Sequence, residues 1–565
     1  MLGRVKFWNR SEQAATVVCL LFLLLFALLP VARLAIELVV GLLGSQRGAM
    51  LAALQSSATL TATWHSIEVG LVGALIASVY GLIVASLVTL TNVRFRNWIV
   101  YAFVVQAMLP PQVVALAWLQ IWAPLRDLLQ AWGWENASAF GNPLQGRGGI
   151  MLLLGVHYAP LVFLTVRAGL LNVPAEVIEA ARVSGARPSV VLLRVIWPLV
   201  TPALAAGTAL AFVSCIGNFG IPAFLGIPAN YLVLPTLIYR ELSGFGSSAI
   251  PNATMLSLIV SLLAGLGILL QHRFASKGHF KVTPSRLVGP PFQLQRARPW
   301  IEATLLGLLL LLLLAPLAAL MAKSLRPGPG VPLTWASATL EHYIYVLKDN
   351  DATVRAFVNS IGMSVMAALV LAAVALLMAY LMEYRRSPWL NRLSYLIEVP
   401  YVLPGVVLSI AMILLYLKPV LGISLYNTIG IIFLAYLARF LAIQLRPIIS
   451  GFQQLPVEML EAAEVFGAPF LRRLRSIVIP LLLPSITAGA MLVVLLALNE
   501  LTISALLWSS GAETLGVAVF NLEQGGESAA AAAIGIVSVV VANLIMLLAS
   551  IAGRRLPSGV LPWRA

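Results

Sequence analysis

Cysteine is nearly absent from this 565-residue chain, which has only Cys19 and Cys215. Both lie in apolar runs, and neither a C-x-x-C pair nor a His/Cys cluster occurs, so no disulfide framework and no structural metal site is expected. Charge is scarce as well: 10% of residues are Asp, Glu, Lys or Arg, against 60% hydrophobic. A soluble chain of this length could not hide that much apolar surface, so the class is an all-α polytopic membrane protein. Catalytic signatures are missing too. None of the six lysines follows a glycine, which removes the G-K-[ST] phosphate loop, and no H-E-x-x-H or nucleophile elbow is present. The chain is not expected to be an enzyme. No catalytic residue, metal ligand or bound cofactor is expected of it.

What is present is long apolar runs. Six lie near 14–40, 62–90, 97–122, 149–171, 198–219 and 250–270, and six more near 302–322, 356–382, 393–417, 427–447, 480–504 and 529–552. Each is long enough to span a bilayer, giving about 12 transmembrane helices. Arg4, Lys6 and Arg10 precede the first run, but no small-residue cleavage site follows it, so it reads as an uncleaved span. With the N-terminus inside, most of the 36 lysines and arginines fall in the cytoplasmic segments. That asymmetry predicts both termini in the cytoplasm. It also accounts for the net charge of +15 without nucleic acid.

The chain repeats itself. Pro174 and Pro456, Glu179 and Glu461, Gly185 and Gly467, Pro198 and Pro480, and Pro202 and Pro484 are each separated by 282 residues. Earlier in each half the offset is 294, pairing Pro110 with Pro404. The expected organisation is two parallel six-helix repeats, 1–282 and 283–565, related by a pseudo-two-fold axis along the membrane normal. A basic, proline-containing linker would join them.

Two polar loops, about 174–198 and 456–480, interrupt the apolar pattern. Each opens on a proline suited to a first helical turn. Glutamates follow, Glu176 and Glu179 or Glu458 and Glu461, where the helix dipole favours them. Small residues come next, Ala180 and Ala181 or Ala462 and Ala463, and then Gly185 or Gly467 for a left-handed turn. One such helix alone reads equally well as an amphipathic helix on the membrane surface. Two at one offset imply two matching sockets on a symmetric cytoplasmic partner.

The segments "EAARVSG…VIWP" at 179–198 and "EAAEVFG…IVIP" at 461–480 resemble the EAA loop of permease subunits in binding-protein-dependent ABC importers. The resemblance implies a type I importer permease with both halves fused in one chain. It implies that the loops are coupling helices docking on two copies of a cytoplasmic ATP-binding subunit, which uses the ATP. It further implies a periplasmic substrate-binding protein and a place in the bacterial inner membrane. "GNFGIPAFLG" at 217–226 and "NELTISALLWSSGAETLGVAVFNLEQG" at 499–525 are similar to fused permeases of the ferric-iron importer group. Permeases for aminoethylphosphonate, thiamine, sulfate and polyamines look similar over the same regions. An ion-coupled secondary transporter of 6+6 spans is the distant alternative, and it offers no reason for twin loops.

Polar groups inside spans are costly and are therefore candidates for function. Glu500 and its repeat partner Asn218, with Asn499 beside the glutamate, are candidates for the translocation path. Pro110 and Pro404 should break their spans at equivalent places and line a cavity. His157 and Arg439, also repeat-related, are expected to bond across packing interfaces. Arg33 and Glu37 are expected to pair at i, i+4, and Glu398 to cap a broken helix start.

Overall fold

The computed structural model describes residues 10–44, 47–133, 141–244, 246, 248–275, 291–328, 331–418 and 424–552. Arg4, Lys6, most of the linker between the repeats and the 282/283 boundary lie outside these residues. Every regular element among them is helical, with one isolated backbone bridge between Thr91 and Phe292. In chain order the first half supplies α1 (Arg10–Leu43), α2 (Ser57–Leu90), α3 (Arg96–Met108), α4 (Pro111–Ala131) and α5 (Arg147–Leu171). It continues with α6 (Ala175–Val183), α7 (Pro188–Gly217), α8 (Gly220–Leu225) and α9 (Ala249–Phe274). The second half supplies α10 (Gln295–Ser324), α11 (Asp351–Tyr384), α12 (Pro388–Val402), α13 (Gly405–Tyr416) and α14 (Ile429–Gln453). It ends with α15 (Val457–Val465), α16 (Phe470–Leu498), α17 (Thr502–Leu507) and α18 (Ser528–Ala552).

Ten of these helices are long and apolar enough to cross a membrane. The runs near 97–122 and 393–417 are not straight spans. Each is a bent pair, α3 with α4 at 103° and α12 with α13 at 105°, and counting each pair as one span gives 12. The bends fall at Pro110–Pro111 and Pro404–Gly405, where proline removes a backbone donor and restricts the residue before it.

Four spans carry a second proline effect. Leu24–Leu28, Val191–Ile196, Leu310–Leu314 and Leu474–Val478 form single π-helical turns. Pro30, Pro198, Pro316 and Pro480 each follow two residues later. A proline ring crowds the carbonyl four residues back, and in every case that carbonyl lies inside the widened turn.

The chain forms two compact units, and they do not divide at the linker. The first contains residues 1–45, 347–518 and 538–565; the second contains 46–346 and 519–537. In the first unit α1, from the start of the chain, packs on helices of the second half. In the second unit Leu305 and Leu309 of α10 join a core built from α2, α3, α5 and α7. Each repeat thus gives its opening span to the other half's helices. The second unit's core depends on small residues: a Cβ on Gly81 would lie 2.8 Å from the Ala159 carbonyl oxygen, so α2 and α5 meet backbone to backbone.

Candidate functional site

The two polar loops fold alike. Pro174 and Pro456 stand at the N-caps of α6 and α15 in extended conformation, with Glu176 and Glu458 in the first turns. Both helices end on a glycine in the left-handed region, Gly185 at φ 77° and Gly467 at φ 74°. The next amide closes the turn: Ala186 N–H donates to the Ala181 carbonyl at 3.1 Å, and Ala468 N–H to Ala463 at 2.9 Å. One apolar residue anchors each helix, Ile178 and Leu460, both buried. Glu176, Glu179, Ala180 and Gly185 are exposed on α6, with Ala181 half-buried. On α15, Glu458, Ala462 and Gly467 are exposed, whereas Glu461 and Ala463 are half-buried. The C-terminal tips carry bare apolar side chains: Val183 is 90% exposed, Val465 85% and Phe466 89%.

The bases of the loops differ. In the second unit, the Arg182 guanidinium donates to the Pro291 carbonyl and lies over the Phe292 ring, 5.5 Å from its centroid. Phe292 N–H in turn donates to the Leu90 carbonyl at 2.9 Å, at the end of α2. In the first unit, charges meet instead. One carboxylate oxygen of Glu12 on α1 accepts from Arg385 Nε at 2.9 Å and Nη2 at 2.6 Å. The same oxygen accepts from Arg473 Nη2 at 2.8 Å and the Tyr380 hydroxyl at 3.1 Å. Glu464 on α15 takes the other side, accepting from Arg385 at 2.9 Å, Arg473 at 2.7 Å and Tyr384 at 2.7 Å. Burial pushes the Glu464 carboxyl up, but the bonds from Tyr384 and Arg385 and the two guanidinium charges outweigh it and hold it below its ordinary value.

Farther along each unit, the helix breaks and the path candidates come together. Asn218 follows α7 and accepts from Ile221 N–H at 2.9 Å, capping α8. Its amide donates to the Tyr158 hydroxyl at 2.8 Å. Glu500 follows α16 and caps α17 in the same way, accepting from Ile503 N–H at 2.9 Å. Its other oxygen lies 3.8 Å from Arg439 Nε, and Arg439 Nη1 donates to the Leu403 carbonyl at 2.9 Å, beside the broken end of α12. The short helices sit against the breaks. A Cβ on Gly220 would lie 3.2 Å from Gln112 N, and one on Gly405 would lie 3.0 Å from Thr502 Cγ2. Pro110 with Asn218, and Pro404 with Asn499 and Glu500, therefore belong to one matching assembly in each unit.

Arg439 bonds across a packing interface, as expected. His157, in contrast, is buried edge-on to its neighbour Tyr158 at 4.9 Å, and its Nδ1 makes no hydrogen bond among the described residues, so the bond expected there is not made by that atom. Arg33 and Glu37 pair at 2.8 Å. Glu398 does not cap a helix start. It lies within α12 and pairs with Arg446 of α14 at 2.6 Å, because α12 runs through Pro400 and leaves no free helix end beside it. The Glu12 cluster and Tyr158 were not among the sequence candidates. An acid near the start of an apolar span was the one available signal for the cluster.

Comparison with known proteins agrees with this geometry. The model of the binding-protein-dependent transport system inner membrane component matches twice, at residues 77–276 and 372–558. A probable ABC transporter permease, y4fN of Sinorhizobium fredii, is 30% identical over 373 residues, covering 64% of this chain and 63% of that protein. The ferric transport system permease FbpB of Actinobacillus pleuropneumoniae is 23% identical over 408 residues, 72% of this chain and 58% of that one. The spermidine/putrescine permease PotC of Escherichia coli K12 is 25% identical over 222 residues, 39% of this chain and 80% of that one. The match thus spans less than two thirds of the length of the first two relatives.

Proposed function

Because the chain belongs to the inner membrane components of binding-protein-dependent transport systems, we propose that it is the permease of an ATP-driven importer. In this reading it lies in a bacterial inner membrane with both termini cytoplasmic. It receives substrate from a periplasmic binding protein and docks α6 and α15 on two copies of an ATP-binding subunit. The observation that carries the reading is the pair of loop helices. They share a proline start, a buried anchor, a left-handed glycine end and a bare apolar tip. Two equal sockets on an ATPase dimer would take such a pair.

Glu176, Glu179, Ala180, Ala181 and Gly185, with Glu458, Glu461, Ala462, Ala463 and Gly467, form the docking surfaces. Asn218, Asn499, Glu500, Pro110 and Pro404 border the path, since broken backbone at membrane depth is tolerated where it lines a cavity or other protein. Ferric iron is the preferred cargo, supported by the ferric permease relative and by an acidic rather than neutral cap at Glu500. A polyamine is the second reading, supported by the PotC relative. Sulfate is a further reading, supported by a relative that is a probable sulfate permease; aminoethylphosphonate and thiamine have only the sequence resemblance behind them.

The test is reconstitution in liposomes. The chain alone should hydrolyse no ATP and carry nothing. With ATP-binding subunits and a loaded binding protein, radioactive iron should enter only when ATP is supplied. Uptake by the chain alone under an ion gradient would make it a secondary transporter. Polyamine or anion uptake in place of iron would reassign the cargo.

A further inference from the structure

The base of α15 holds a charge cluster that docking alone does not require. The outward face of α15 presents Glu458, Ala462 and the Val465–Phe466 tip, whereas Glu464 turns inward to Arg385 and Arg473. The side chains of Glu12, Arg385 and Arg473 are 0–1% exposed. Apolar packing would hold a helix here without desolvating three charges, and a buried ion pair is weak evidence for stability as such. What charge-assisted forks add is direction: apolar surfaces slide past one another, while guanidinium–carboxylate bonds fix distance and angle. Three parts of the unit are tied at this point: α1 through Glu12, the end of α11 through Tyr380, Tyr384 and Arg385, and the loop with the base of α16 through Glu464 and Arg473.

Among the described residues the other repeat is wired differently: Glu302 of α10 accepts from Arg94 N–H and Arg298 Nε, both at 2.9 Å, and not from the loop. Positions 282 before Glu464 and Arg473 hold Arg182 and Val191, and positions 294 before Tyr380, Tyr384 and Arg385 hold Ser86, Leu90 and Thr91. Arg182 is tied to a backbone carbonyl and an aromatic ring instead.

Resting on the importer reading, we propose that Glu12 is a positioning residue for the second loop. It locks α15 and the base of α16 to α1 and α11, so that displacement of this loop by the ATP-binding subunits is passed into the spans as one motion. The two loops are therefore inequivalent levers: one clamped by buried charge, the other held by a backbone and ring contact.

The test uses the full chain reconstituted with ATP-binding subunits and the binding protein. Glu12→Gln should keep the complex together in pull-downs and keep ATP hydrolysis, while substrate carried per ATP falls at least fivefold. Unchanged transport per ATP in this variant overturns the proposal. Glu12→Gln also strands a buried positive charge, so the double variant Glu12→Gln, Arg473→Met, which leaves Arg385 paired with Glu464, separates the two roles. Thermal stability should return toward wild type and transport per ATP should not. Full recovery of transport would reduce the cluster to charge balance. A double variant as unstable as the single would make it a folding element, and either result overturns the clamp. A wild-type chain that fails to assemble with ATP-binding subunits would sink the importer reading itself.

Discussion

Glu500 uses its two oxygens for different jobs, and a single substitution separates them. Glu500→Gln retains an oxygen to accept from Ile503 N–H but loses the charge facing Arg439. Removing one partner from a largely buried ion pair costs ~3 kcal/mol, so Arg439 is left with the Leu403 carbonyl as its described hydrogen bond. Cation uptake should fall by more than tenfold in this variant while assembly with the ATP-binding subunits persists. Uptake of a cation at the wild-type rate would leave Glu500 as a helix cap only. The offset of 282 residues already related Glu500 to Asn218. Their shared capping role was not legible, because it depends on where α7 and α16 stop, and an apolar run does not mark its own end.

A second residue-scale consequence concerns pH. Glu464 is held below the ordinary glutamate value of 4.5. A carboxylate depressed on folding contributes stability that is fully present above its unfolded pKa and is lost as pH falls through the lower, folded one. The second loop should therefore keep its geometry across the neutral and mildly acidic range. Thermal melting of the purified chain should show no loss from this group between pH 8 and pH 5 and a decline below that ordinary value. In Glu464→Gln that acid-side decline should shrink.

At the scale of the element, the loop helices were the most legible part of the molecule. Proline start, acidic first turn, small residues and glycine stop are each a local rule, and the rules agree with one another. A Cβ added at Gly185 or Gly467 would meet nothing within 4 Å, so the demand for glycine comes from φ alone. Gly185→Val and Gly467→Val should each cost about 1–2 kcal/mol at the turn. Pull-down of the ATP-binding subunit should weaken while membrane insertion and expression persist; normal pull-down and transport in both variants would remove the docking role. The bends at Pro110 and Pro404 were legible for the same local reason. Their angles were not, since a proline allows a break without setting its direction. The four π turns that precede a proline follow the same rule, but reading them requires counting four residues back to the crowded carbonyl; two others, Tyr345–Asp349 and Tyr380–Tyr384, have no such proline.

Across the whole molecule, composition and repeat spacing were enough for the helical class and the two halves. They were silent on which half each opening span packs against. An apolar helix face carries no address, and Glu12 finds Arg385 across 373 residues of chain. Deletion of residues 1–44 should therefore harm the distant unit first. Limited proteolysis should show faster cleavage within 347–518, whose partner helix is gone, while 57–275 stays protected. Equal protection of both would mean that α1 is dispensable to the unit it packs in.

The same exchange sets an order of events during synthesis. At ~5–20 residues per second, the 373 residues between Glu12 and Arg385 take on the order of 20–75 s to make. The second guanidinium, on Arg473, lies 461 residues from Glu12 and arrives later still. Throughout that interval α1 is without most of the helices it packs on, and its carboxylate has neither of the two cations that later enclose it. A helix made well before its partners is thus among the last to be finished, and the closing of its charge cluster reports that the second loop has been made and seated.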